Sequence, residues 1–307
     1  MIPGIKVADK DGDDPIWLSP ASPFYVSMFP SGLTKEEVEN IQILDWVTFM
    51  KRTLRLDKEA DVLYGEDPPD RILKFTEGTV GVELRQLTLE HVRRELAPLR
   101  DIGLKIQRSL SSQPDDYKHL LGKLVQLSTL EPKDLNVKEL QSAIPEILEL
   151  LKQDVGFVGE GFKFNSDGSF PKVFPESRRG FYGKIKSFVI QAYPDGISGS
   201  FQVSCSIQTQ IRQSEALQAI KKAITDKDIA GNDVVLITCG LPDEKGYVCP
   251  LDNWLYQHLT ENRAVIKEWI EFNEPTFIKN IIVRLWHTNG CMDLYRKKGI
   301  IIPWSKC

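Results

Sequence analysis

The sequence has few cysteines, and none of them are spaced as in a disulfide framework or a zinc site. The five cysteines (Cys205, Cys239, Cys249, Cys291 and Cys307) are odd in number, widely spread and without a Cys-x-x-Cys pair. The four histidines are scattered and show no ligand spacing such as His-Glu-x-x-His. This pattern predicts reduced thiols in the cytoplasm rather than a secreted, disulfide-stabilised domain.

Long apolar runs and an excess of basic residues are also missing. No stretch reaches the roughly 18 apolar residues of a membrane-spanning helix. The opening residues have no basic patch followed by an apolar segment, so we expect no secretory signal. The net charge of −4 and pI near 5.7 argue against a protein that coats nucleic acid nonspecifically. A local basic groove beside an acidic metal site remains compatible with this charge.

The order of predicted elements indicates an α/β (α+β) fold. Thr34 and Glu37 have the spacing of a capping box, which predicts a helix from there to about residue 56. Two β-prone runs follow, then a helix over 88–111 and, after a long middle region, further helices and buried strands. We divide the chain into an N-terminal arm (1–33), a first core part (34–111), a helical and β insertion (112–210) and a second core part (211–307).

The two β-prone runs, RILKF (71–75) and TVGVELRQL (79–87), predict a hairpin. A two-residue turn at Glu77-Gly78 would place Asp70 opposite Arg85 and Ile72 opposite Glu83. Side chains alternate between the two faces of a strand, so each face collects one kind of residue. The apolar face would contain Leu73, Phe75, Val80, Val82 and Leu84, and the polar face Asp70, Lys74, Glu83 and Arg85.

Two carboxylates on one face of a hairpin can bind a hard divalent cation. Asp70 and Glu83 would supply oxygen ligands for Mg²⁺ or Mn²⁺, which keeps several waters and can act on a phosphodiester. Arg85 would hold the scissile phosphate, and Gln86 would orient a water or the phosphate. The alternative is a cross-strand salt bridge between Asp70 and Arg85 beside a solvated Glu83.

The spacing of these residues resembles the PD-(D/E)xK nuclease superfamily. Pro69-Asp70 corresponds to the Pro-Asp at the start of one strand, and Glu83-Leu84-Arg85 to the acidic-x-Lys triplet on the next. The resemblance implies a restriction-endonuclease-like mixed central sheet flanked by helices, with a large insertion. The lysine-bearing helix EALQAIKKAITDK and the strand DVVLITCG look like the later helix–strand pair of that superfamily. Its acidic residue from a preceding helix could be Glu37 or Glu39.

The sequence departs from the superfamily at Arg85, where a lysine is usual. Arginine remains charged and can stabilise a phosphate, but it does not readily release a proton to act as a base. The resemblance therefore implies either a working metal-dependent nuclease or a nuclease-fold scaffold that no longer cuts. Roles in genome defence, repair or mobile elements would suit the superfamily, and the sequence selects none of them.

A second region indicates contact with nucleic acid. It combines cations with aromatic side chains that could stack on bases, namely Arg178, Arg179, Phe181, Tyr182 and Lys184. An ordinary solvated surface is the alternative for each of these residues. In the scaffold hypothesis, the insertion at 112–210 would instead meet a protein partner. The sequence leaves open DNA or RNA as substrate, and the oligomeric state.

Overall fold

The structure is a computed structural model of the 307-residue chain. For some residues inside its elements only the backbone is described. The described residues are 5–7, 16–21, 24–25, 33–56, 60–129, 137–142, 144–152, 179–181, 188–193, 199–243, 247–249, 251–300 and 303–304.

These residues form helices and strands in mixed order. The helices are α1 (Lys35–Arg52), α2 (Glu90–Ser112), a 3-10 helix (Pro114–Leu120), α3 (Val137–Ser142), α4 (Ile144–Lys152), α5 (Gln213–Thr225), α6 (Leu251–Glu261) and α7 (Arg263–Phe272). The strands are β1 (Ile5–Val7), β2 (Ile16–Ala21), β3 (Phe24–Tyr25), β4 (Asp61–Tyr64), β5 (Arg71–Phe75), β6 (Gly78–Gln86), β7 (Leu124–Thr129), β8 (Arg179–Phe181), β9 (Phe188–Tyr193), β10 (Gln202–Arg212), β11 (Val234–Cys239), β12 (Tyr247–Val248), β13 (Asn280–Leu285) and β14 (Cys291–Arg296).

The chain forms two compact units. One contains residues 1–5, 18–23 and 91–210, and the other contains residues 6–17, 24–90 and 211–307. The first core part is predicted to end at residue 111, whereas the units change at Glu90/His91. The four-part domain assignment stays a prediction.

The second unit is built on a six-stranded mixed sheet with the order β14-β13-β11-β6-β5-β4. Strands β6, β11 and β13 are parallel to one another, while β4, β5 and β14 pair antiparallel to their neighbours. The parallel steps are made by crossovers, with α5 before β11 and α6 and α7 between β11 and β13, as parallel pairing requires. The predicted mixed sheet flanked by helices is therefore confirmed at this level.

One face of this sheet packs against α1. The capping box at Thr34 and Glu37 is present and starts α1 as predicted. Its buried side chains, which include Ile43, Trp46 and Met50, form one core with apolar residues of the sheet. The sheet residues of this core are Leu73, Phe75, Val82, Leu84, Val234, Leu236 and Ile282.

The other face of β11 and β13 is also buried. Here Val235, Ile237 and Ile281 are fully buried, and α6 packs on both strands. Because Glu83 pairs with Val235 in register, Glu83 belongs to this second face, opposite the α1 core. The sheet thus separates the apolar side of the hairpin from its carboxylates.

The first unit has a sheet of its own. Strand β7 is parallel to β10 and antiparallel to β9, and β9 pairs with β8. Strand β7 lies in a leucine-rich stretch of the long middle region, where the sequence pattern predicts no strand.

Two further features differ from the sequence analysis. The segment 251–271, whose pattern predicts one helix, forms α6 and α7 with a break at Asn262, and the segment after β13, where the pattern predicts no strand, forms β14. Cys205, Cys239 and Cys249 are not part of a disulfide, whereas Cys291 is disulfide-bonded. The expectation of reduced thiols is therefore wrong for Cys291. Burial raises the pKa of Cys205 to about 12, which keeps this thiol protonated and unreactive.

Candidate active site on the β5–β6 hairpin

The predicted hairpin is present, but its register differs by two residues from our prediction. The turn is Thr76-Glu77, and Gly78 pairs with Phe75 as the first residue of β6. Ile72 therefore lies opposite Gly81, and not opposite Glu83. A shift of two residues leaves every side chain on its face, so the division into an apolar and a polar face survives.

The corrected register brings the two carboxylates together. The last paired residues are Arg71 and Val82, and one step further along the hairpin Asp70 faces Glu83. The backbone N–H of Asp70 donates to Glu83 Oε2 at 3.3 Å, and the backbone N–H of Leu84 donates to Asp70 Oδ2 at 2.9 Å. The carboxylates thus satisfy two N–H groups at the point where the backbone ladder ends.

A lysine that we did not predict completes this cluster. The Lys227 ammonium donates to Glu83 Oε1 and forms an ion pair with it. Lys227 lies two residues beyond the end of α5, in the turn that leads into β11. It is separated from Glu83 by 144 residues and meets it because β11 pairs with β6.

Glu83 is the most deeply buried member of the cluster. Its side chain is 2% exposed, whereas that of Lys227 is 24% exposed. Burial raises the pKa of Glu83, although the ammonium of Lys227 acts in the opposite direction; the nearby negative charge of Asp70 adds to the increase. A buried carboxyl group beside a second carboxylate and a cation is typical of functional sites.

Arg71 fixes the strand that carries Asp70 to α1. Its buried guanidinium donates to Glu39 Oε2 at 3.0 Å, to Asn40 Oδ1 at 3.0 Å and to the Asp70 carbonyl at 2.7 Å. It also lies over the Tyr64 ring, 4.8 Å from the ring centroid. These contacts hold the backbone of Asp70 from the opposite face of the sheet.

Two of the predicted catalytic residues do not join the carboxylates. The Arg85 side chain is exposed and forms no ion pair with a described residue, so the alternative of an Asp70–Arg85 salt bridge is wrong. Gln86 is three residues from Glu83 and therefore lies on the opposite face of β6. Its side chain donates to the Leu241 carbonyl at 2.9 Å and does not contact Asp70 or Glu83, so its orienting role stays a prediction.

The two helix carboxylates considered for the site have other partners. Glu37 accepts hydrogen bonds from Thr34 in the capping box. Glu39 pairs with Arg71 and, at 3.3 Å, with Lys35. The hydrogen bond to Glu39 raises the pKa of Lys35, and Asp70 adds a smaller contribution. Asp70 thus acts on Lys35 through its charge, while Glu37 and Glu39 make contacts that orient α1.

The predicted nucleic-acid segment is mostly outside the described residues. This applies to Arg178, Tyr182 and Lys184. Arg179 and Phe181 are described through their backbone, which forms β8 and pairs with β9.

The residues present fit a divalent cation in part. Mg²⁺ commonly takes one or two protein carboxylates and fills its remaining positions with water and substrate phosphate. Asp70 and Glu83 meet this requirement, and Asp70 Oδ1 accepts no hydrogen bond from any residue that the structure describes. In the same part of the chain, no group of three or more His, Cys, Asp or Glu residues is placed to hold a metal. The site therefore offers two protein ligands.

Comparisons with family models, curated proteins and solved structures give no match to this chain. Within the described part of the molecule, no helix combines the length and apolar character needed to cross a membrane.

Proposed function

We propose that this protein is a divalent-metal-dependent nuclease that acts on phosphodiester bonds of DNA or RNA. The observation that carries the proposal is the cluster of Asp70, Glu83 and Lys227 on one side of the hairpin. Asp70 and Glu83 would hold an Mg²⁺ or Mn²⁺ ion, which would supply polarisation of a phosphoryl oxygen and activation of a water.

Lys227 takes the role that the sequence analysis gave to Arg85. Its ammonium is next to the carboxylates and remains partly exposed, so it can stabilise the negative charge that develops on the phosphate. The acidic-x-Lys triplet of the PD-(D/E)xK superfamily contributes a lysine from the same strand as its acid. In this chain the lysine, Lys227, comes from a different segment, and its ammonium forms an ion pair with Glu83. Arg85, two residues along β6 and exposed, can contact a neighbouring phosphate of the substrate.

The order of elements supports the restriction-endonuclease-like fold. The elements follow one another along the chain as helix α1, the antiparallel strands β4, β5 and β6, helix α5 and then β11, which is parallel to β6. This is a helix, a strand pair bearing the acids and a later helix–strand pair, as the resemblance implies. The main segment of the first unit, residues 91–210, lies between β6 and α5 in the sequence. The predicted insertion at 112–210 lies within the segment 91–210 that separates β6 from α5 in the chain.

A nuclease assay tests the proposal. The full chain is incubated with single- and double-stranded DNA and RNA in Mg²⁺, in Mn²⁺ and in EDTA. We expect cleavage that depends on the metal and falls about 100-fold or more in Asp70→Asn, Glu83→Gln and Lys227→Met. Asp61→Asn and Lys222→Met are matched controls, because both residues are exposed and lie on β4, next to β5, and on α5, which ends just before Lys227. Equal cleavage by the wild-type and Glu83→Gln proteins would contradict the proposal.

One observation favours a second candidate, the non-catalytic scaffold. Both oxygens of Glu83 already accept hydrogen bonds, from Asp70 and Lys227, so the cluster is satisfied without an ion. A scaffold would bind no divalent ion in calorimetry, and its partner binding would survive substitution of both acids.

A further inference from the structure

Three separate chain segments supply the three residues of the cluster. Asp70 follows the loop 65–69, Glu83 lies within β6, and Lys227 begins the turn before β11. A metal or phosphate site requires these segments to keep a fixed spacing to within a fraction of an ångström. The contacts among the segments show which residues set that spacing.

The closest approach among the segments occurs at Gly81. A Cβ atom added to Gly81 would lie far inside van der Waals distance of the Gly231 carbonyl oxygen and 3.0 Å from Pro69 Cγ. The Gly81 backbone also exchanges two hydrogen bonds with Asp233, donating to its carboxylate at 2.9 Å and accepting from its N–H at 3.1 Å. Because the obstructing atom at Gly231 belongs to the backbone, a side chain at Gly81 would force the two segments apart.

Gly231 makes the matching contact with the loop before Asp70. It has a φ of +99°, and an added Cβ would lie 3.3 Å from the Pro68 carbonyl oxygen. The buried Asn232 next to it donates to the Lys227 carbonyl at 3.0 Å. A displacement of Gly231 would therefore be transmitted directly to the backbone of Lys227.

We propose that Gly81 and Gly231 are positioning residues of the cluster. Through their backbone contacts with Pro68 and Pro69, they set the spacing between Asp70, Glu83 and Lys227. The inference rests on the proposed function for its consequence on metal binding, while its geometric part concerns the Glu83–Lys227 pair alone.

The experiment compares Gly81→Ala with Gly290→Ala in the full chain. Gly290 is a matched control, because an added Cβ would also be tight there, 3.0 Å from Leu285 Cβ, between β13 and β14. The first measurement is the affinity for Mn²⁺ alone by calorimetry. The second is the coupling between Glu83 and Lys227, from a double-mutant cycle with Glu83→Gln and Lys227→Met under urea unfolding. The cycle is repeated in the wild-type, Gly81→Ala and Gly290→Ala backgrounds.

We expect Gly81→Ala to raise the Mn²⁺ dissociation constant about 10- to 100-fold and to halve the coupling or more. Gly290→Ala should lower stability and leave both quantities unchanged. Unchanged coupling and Mn²⁺ affinity in Gly81→Ala would overturn the inference. If the wild-type protein binds no Mn²⁺, the proposed function fails and the coupling alone decides the positioning role.

A second variant covers the case in which Gly81→Ala does not fold. Pro69→Ala removes the ring carbon that lies closest to Gly81 among the Pro69 atoms and adds no heavy atom. We expect it to weaken the Glu83–Lys227 coupling, and coupling at the wild-type level would overturn the inference.

Discussion

Asp70 and Glu83 face each other at the open end of the β5–β6 ladder, and each carboxylate accepts a backbone N–H from the other strand. This reciprocal arrangement fixes both acids, and Lys227 donates to the second oxygen of Glu83. Asp70 Oδ2 is engaged at 2.9 Å, and its second oxygen has no partner among the described residues.

The Lys227–Glu83 ion pair should contribute measurably to stability. We expect Lys227→Met to lower the free energy of unfolding by about 1–3 kcal/mol, because the buried Glu83 carboxylate loses its cation. Lys222→Met is the control, because it removes an exposed ion pair between Lys222, in α5, and Asp226. We expect it to lower the free energy of unfolding by about 0.5 kcal/mol or less. Urea unfolding of both variants provides the measurement. Equal losses of unfolding free energy in the two variants would show that the Lys227 ammonium does not stabilise the buried Glu83 carboxylate.

The raised pKa of Glu83 makes stability depend on pH in a defined direction. The folded protein holds the Glu83 proton more tightly than the unfolded chain does, whose value is close to 4.5. The stabilisation that comes from protonation of Glu83 is therefore fully present below pH 4.5. It is lost as the pH rises through the raised pKa of the folded state. Glu83→Gln has no titratable group at this position, so it does not lose this stabilisation. The melting temperature of the wild type should therefore fall relative to that of Glu83→Gln between about pH 3 and pH 7. The melting temperature of Glu83→Gln minus that of the wild type then increases. Melting curves without divalent ions measure this difference, and a constant or shrinking difference would be contrary to the account.

A second buried ion pair provides a test of the fold that is independent of the cluster. Arg284 Nε lies 3.0 Å from Asp45 Oδ2, and the guanidinium packs over the Phe49 ring at 4.2 Å. We expect Arg284→Met to lower the free energy of unfolding by about 3 kcal/mol, because it leaves Asp45 without its cation in a largely buried position. Mn²⁺ affinity should not change. A loss below about 1 kcal/mol would show that this pair is not a structural element of the second unit.

The sequence predicted the faces of the hairpin better than its register. Alternation alone put Leu73, Val82 and Leu84 on the buried side, because periodicity survives any even shift. The register was wrong because we took Gly78 as a turn residue, whereas the structure pairs it with Phe75. A short connector containing one glycine is compatible with a turn at Thr76-Glu77 and with one at Glu77-Gly78.

Lys227 could not be found from local sequence, because its position depends on the pairing of β6 with β11. The available signal was its place at the end of a lysine-bearing helix directly before the buried strand DVVLITCG. Gln86 shows the limit of sequence proximity. It is adjacent to Arg85 in sequence, but its odd spacing from Glu83 puts it on the α1 side of the sheet.

The central claim is that Asp70 and Glu83 together bind one divalent ion. Titration of the full chain with Mn²⁺, followed by electron paramagnetic resonance of the free ion, tests it most directly. The account predicts one bound ion per chain in the wild-type protein and loss of that ion in both Asp70→Asn and Glu83→Gln, with Asp61→Asn unchanged. Absence of a bound ion in the wild-type protein, or binding that survives both substitutions, would contradict it.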